Sequence, residues 1–113
     1  MLIKNTTKKA LLAENAKPCR NIFLKSLGLM FSKKITSLIF AFEKEKIIPL
    51  HMFFVFFPID VLFLDAKRKV VDMKQNFEPW TAYYSPKKSR YVIEAAAGII
   101  ARTKTRLGDL IKF

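Results

Sequence analysis

The stretch HMFFVFFPIDVLFLD, residues 51–65, constrains this chain more than any other, because a run so apolar must cross a membrane, fill a core or wall a binding site. Residues 47–64 approach the ~20 that a spanning helix needs, yet they include Pro49, His51, Pro58 and Asp60. An Asp near mid-bilayer costs about 2.5–3.5 kcal/mol on insertion scales, and a proline breaks helical hydrogen bonding. The run parses better as two short strands, His51 to Phe56 and Ile59 to Leu64, parted by Phe57 and Pro58. Its Phe, Val, Ile and Leu favour a pleated sheet, and proline belongs between strands rather than within a central one. Both faces of both strands are apolar, which places them centrally in a sheet covered above and below.

Reading outward, residues 1–5 and 10–19 form the first strands around a TTKK turn. Asn21 caps a short helix over IFLKSL, stopped by Gly28. A strand over Ser37 to Phe42 precedes a charged EKEK loop; AKRK turns the chain from Leu64 into a strand at Val70 to Met73. Residues 75–90, rich in Pro, Ser, Trp and Tyr, make a surface excursion before a strand at Tyr91 to Glu94. AAAGIIAR is a bend with one helical turn, and Leu110 to Phe113 is a last strand after the LGD turn. Strands at this spacing predict a mainly β fold, a compact small sandwich or barrel of jelly-roll type with one or two short helices. At 113 residues the expectation is a single domain over residues 1–113.

A 51% apolar and 27% charged composition is that of a globular chain rather than a disordered one, but the net charge of +12 is unusual. Residues 1–37 hold eight basic and one acidic side chain, residues 38–75 six and five, and residues 76–113 seven and three. The basic excess therefore lies in the two outer thirds. Cys19 is the only cysteine, which excludes an intramolecular disulfide and a cysteine-rich zinc site. The first twenty residues carry charges throughout and lack the apolar core of a secretory signal, so a reducing, cytoplasmic setting without a transmembrane segment is expected.

The order GLMF (28–31), LIFAF (38–42), HMFFVFFPIDVLFLD, RYVIEAAAG (90–98) and LGD (107–109) resembles the family called domain of unknown function 192. The resemblance runs from about Asn21 to the C-terminus. It implies a compact, mainly β sandwich of jelly-roll type with a short helix before GLM, and it brings no activity with it. His51 stands where many members have Trp, and Phe53 and Phe54 stand where others have a basic residue and Asn.

Two groups of residues are candidates for function. The first is EPWTAYYSPKKSRY (78–91), where Trp80, Tyr83, Tyr84 and Tyr91 interleave with Lys87, Lys88 and Arg90. Stacking faces beside phosphate-seeking cations suit single-stranded nucleic acid, and aromatics with Arg also suit an acidic protein partner. The second is His51 with Asp60, polar residues in apolar strands that could share a cleft, the carboxylate orienting the imidazole for proton transfer. The competing expectation is that Asp60 beside a turn accepts backbone N–H bonds and that His51 packs in the core. One histidine excludes a His-rich metal site, no nucleophile is signposted, and the four methionines read as core filler, so neither a metal nor a cofactor is expected. The reading is a noncatalytic binding module, with a small-ligand protein or enzyme as the alternative. Either a monomer or a homodimer paired through strand edges is compatible with it.

Overall fold

A strand buried at every position, Ile59–Leu64, sits where the second half of the apolar run was expected to go. The computed structural model describes residues 1–19, 37–51 and 57–113. Its elements are β1 Ile3–Asn5, β2 Ala10–Ala13, β3 Lys17–Cys19, β4 Leu38–Lys46, β5 Pro49–His51, β6 Ile59–Leu64, β7 Val70–Phe77, β8 Ala82–Tyr84, β9 Ser89–Ala96, helix α1 Ile99–Thr103 and β10 Ile111–Lys112. A five-stranded sheet runs β3-β4-β9-β6-β7, a three-stranded one β10-β1-β2, and β5 pairs with β8. All pairings are antiparallel except β3 on β4.

Period-two alternation explains why β6 shows no polar face. On one side of the large sheet Val61, Phe63, Val92, Leu38 and Phe40 pack with Ile48, Leu50 and Phe77, and Tyr83 rests against them. On the other, Leu62, Leu64, Ile93, Ala95 and Ile39 pack with Ile3, Leu12 and Ile111 of the three-stranded sheet and with Ile99 and Ile100 of α1. Each face of the sheet thus has its own core, and the small mainly β sandwich expected from the sequence is the fold that forms. Burying a side chain such as Phe63 contributes about 1.5–3 kcal/mol, and here it is wholly enclosed.

Several boundaries move. EKEK is the exposed end of β4 rather than a loop, lying beyond Phe40, where the pairing with β3 stops and charge can stay in solvent. β7 runs on to Phe77 and β9 begins at Ser89, so the 75–90 excursion shrinks and contains β8. The 10–19 run breaks into β2 and β3, which belong to different sheets. His51 ends β5 and pairs with Ala82, whereas the neighbours of β6 are β7 and β9. Strand pairing therefore does not bring His51 beside β6, and residues 52–56 of the expected first strand lie outside the described residues. So do the proposed helix after Asn21 and its stop at Gly28. Among the described residues, no helix is long and apolar enough to cross a membrane.

Candidate functional surface

Strand alternation separates the aromatic side chains of residues 78–91. In β8, Ala82 and Tyr84 face outward while Tyr83 turns in. Its ring lies 5.8 Å from that of Phe63 and 6.4 Å from that of Phe77. The Tyr83 hydroxyl donates a 2.6 Å hydrogen bond to Asp72 Oδ2. That bond, then burial and the Asp72 charge, push the phenol up to about 12. Tyr91 belongs to the opposite core, edge-on to Phe113 at 5.3 Å, with the Arg68 guanidinium 5.5 Å from its ring. Arg90 donates from Nε to the Phe42 carbonyl and lies 5.8 Å from the Tyr91 ring.

Trp80 and Tyr84 remain outside, 52% and 71% exposed. Trp80 takes a left-handed backbone, φ 65°, at the turn entering β8. Lys87 and Lys88 are exposed in the following turn, which is pinned by the buried Ser85 hydroxyl accepting the Lys87 N–H at 3.2 Å. Of the seven residues singled out in this stretch, Trp80, Tyr84, Lys87 and Lys88 are exposed within one short excursion, whereas Tyr83 and Tyr91 pack inward and Arg90 donates to a backbone carbonyl.

Asp60 has a structural task. Its carboxylate accepts N–H bonds from Asn76 at 2.8 Å, Gly98 at 3.1 Å and Ile100 at 2.9 Å. It thereby fixes the end of β7, where Asn76 has φ 49°, and the start of α1, where Gly98 supplies φ 94°. Asp60 lies opposite Ala95 in the ladder and His51 opposite Ala82, so the two are not cross-strand partners.

Two features were not singled out in the sequence. Glu94, in the middle of β9, lies between Leu38 and Val61 in register, on the face lined by Val92 and Phe63. It is 8% exposed, and its Oε2 has no hydrogen-bond partner among the described residues. Burial pushes its carboxyl up to about 7. The signal was an acid within the apolar run of YVIEAA. The second feature joins the ends of the described chain. Fully buried Asn5 donates to Thr105 Oγ1 and Asp109 Oδ2, both at 2.9 Å, while Lys8 Nζ reaches Asp109 Oδ1 at 2.9 Å. Burial raises the Asp109 carboxyl, but the Asn5, Arg106 amide and Lys8 bonds and the Lys8 charge outweigh it and hold it below its ordinary value. This network is satisfied and clamps the LGD turn to the β1–β2 turn.

Comparison with known proteins places the fold and the motifs together. Residues 3–113 match the family model for domain of unknown function 192, described as "Uncharacterized ACR". A UPF0127 protein of Pyrococcus horikoshii is 38% identical over 91 residues, covering 79% of this chain and 78% of that one. One from Thermococcus sibiricus is 35% identical over 114 residues, covering 98% and 73%. A crystal structure of a protein of unknown function from Novosphingobium aromaticivorans superposes with a TM-score of 0.84 at 20% identity, covering 99% of this chain and 82% of that one. The chain belongs to the domain of unknown function 192 family.

Proposed function

We propose that this family member is a noncatalytic binding module, a single domain over residues 1–113 that presents the 78–88 excursion to an anionic partner. The observation that carries the reading is the exposure of Trp80, Tyr84, Lys87 and Lys88 within one short excursion. Neighbouring Tyr83 already fills the inward position, so Tyr84 has no packing task that would account for a large ring in water. A base stacked on an aromatic side chain gains about 1–3 kcal/mol, and the lysines add a salt-dependent attraction to phosphates. Single-stranded nucleic acid meets both requirements, and an acidic protein segment meets the second.

The test is fluorescence anisotropy of nuclease-treated protein with labelled single-stranded RNA and with duplex DNA, titrated across salt. Single-strand binding at physiological salt that weakens about tenfold in Trp80→Ala or Tyr84→Ala supports a stacking surface. Binding only at low salt, indifferent to both substitutions, would reduce the +12 charge to nonspecific attraction and favour a protein partner.

A second reading, a small-ligand protein or enzyme, draws on the buried Glu94 carboxyl, whose Oε2 has no partner among the described residues, rather than on the His51 and Asp60 pair. A buried acid with its carboxyl near neutrality suits proton transfer. Its test is whether Glu94→Gln keeps the fold while abolishing binding of whatever small molecule co-purifies with the wild-type chain.

A further inference from the structure

The three-stranded sheet covers one core with its inner face and turns an unusual set of side chains to solvent. Ile3, Asn5, Leu12 and Ile111 point inward and are buried. Alternation sends Lys4, Leu11, Leu110 and Lys112 outward. In register, Lys4 lies opposite Lys112 on one side and opposite Leu11 on the other. Lys69 is bridged to Leu110, extending the row. Leu2, Leu11 and Leu110 are 51%, 39% and 45% exposed. A cleft of about 420 Å³ is lined by Lys4, Asn5, Thr6, Lys9, Ala10 and Leu11.

Two ordinary explanations fail here. Lysine on a sheet edge discourages edge-to-edge pairing, but Lys4 is on the middle strand of the three, β1. Single exposed leucines need no explanation, but these sit around a directly opposed lysine pair, and like charges across a ladder are unfavourable. Among the described residues no ion pair relieves Lys4, Lys9 or Lys112. Among the described residues the face also lacks the stacking rings that single-stranded nucleic acid needs, and lysine and leucine are poorly represented at protein hot spots. Leucines ringed by lysines suit a headgroup layer, where the apolar side chains enter the acyl boundary and the ammonium groups meet lipid charge.

We propose that the outward face of the β10-β1-β2 sheet docks on an anionic lipid surface, with a lipid head group between Lys4 and Lys9 and its chain over Ala10 and Leu11. This surface is independent of the 78–88 excursion, which flanks the other core of the large sheet.

Flotation of the full chain with phosphatidylcholine vesicles, with and without phosphatidylglycerol, tests it. The chain should float with the anionic vesicles only. Each surface lysine contributes about fivefold to such partitioning, so Lys4→Glu with Lys112→Glu should lower it by about 25-fold or more. Lys87→Glu with Lys88→Glu, the same change of net charge elsewhere, should lower it far less. Leu11→Ser with Leu110→Ser should weaken binding at physiological salt, where charge alone is screened. Circular dichroism checks that each variant is folded. No flotation of the wild-type chain with anionic vesicles, equal flotation with both vesicle types, equal loss in the two charge-reversed variants, or indifference to the leucine changes would each overturn the proposal.

Discussion

Glu94→Gln should remove the loss of stability that Glu94 causes as pH rises through neutrality. In the folded chain the Glu94 carboxyl is raised from 4.5 to about 7 by burial. The folded state then binds the proton more tightly than the unfolded state, so this contribution is complete below pH 4.5 and is lost as pH rises through about 7. At 1.36 kcal/mol per pH unit, the full shift corresponds to about 3 kcal/mol, a large part of the 5–15 kcal/mol that holds a typical domain together. Glutamine copies the shape of the protonated acid but does not titrate. Denaturant unfolding of both chains at a series of pH values gives the difference directly. Near pH 5 wild type and variant should lie within about 1 kcal/mol of each other. Near pH 8 the variant should be more stable by about 2–3 kcal/mol. Asp109, whose carboxyl is held low, contributes with the opposite sign and only in a more acid window, so the two do not overlap. A difference between the chains that stays constant with pH would refute the assignment of a buried, unpartnered acid.

Asp60→Ala strands three backbone N–H groups at the ends of β7 and α1. Unfolding should therefore become easier by about 3 kcal/mol or more, with amide exchange at Gly98 and Ile100 rising first. Tyr83→Phe removes one hydrogen bond to Asp72, costing about 1 kcal/mol; in an ultraviolet titration it should also delete the tyrosine that ionises near 12. Asp109→Asn should lose the stabilisation that wild type shows above the ordinary Asp range, making the variant's thermal unfolding flatter between acid and neutral pH than that of the wild-type chain.

Much of this arrangement was legible in the sequence where one physical requirement dominated. A strand with no polar face must be covered on both sides, and Ile59–Leu64 is. An acid beside Pro58 in such a strand needs donors, and Asp60 finds them in the backbone. What was hidden depends on register. Tyr83 and Tyr84 are adjacent and chemically identical, and only the phase of β8 sends one into the core and the other into water. The charged end of β4 and the polar end of β7 read as loop because their partners, not their own propensities, keep them in the sheet. Glu94 was passed over because an acid at the end of an expected strand normally faces solvent, whereas β9 continues to Ala96.

Asp60 and Glu94 together show how the large sheet divides its work. They lie on neighbouring antiparallel strands, Asp60 opposite Ala95 and Glu94 opposite Val61, one step apart in the ladder and therefore on opposite faces. The face bearing Asp60 is closed by backbone donors and by the three-stranded sheet, and its remaining chemistry is displaced to the outer lysines and leucines. The face bearing Glu94 retains a carboxyl oxygen without a partner among the described residues and, with the β5–β8 pair, the exposed aromatic side chains. If both outer surfaces contribute to binding by the +12 chain, they do so from opposite sides of one rigid sheet. Charge reversals at Lys4 with Lys112 and at Lys87 with Lys88 should then act independently: the first should chiefly reduce vesicle binding, the second chiefly nucleic-acid binding, and the combined variant should show both losses without added coupling.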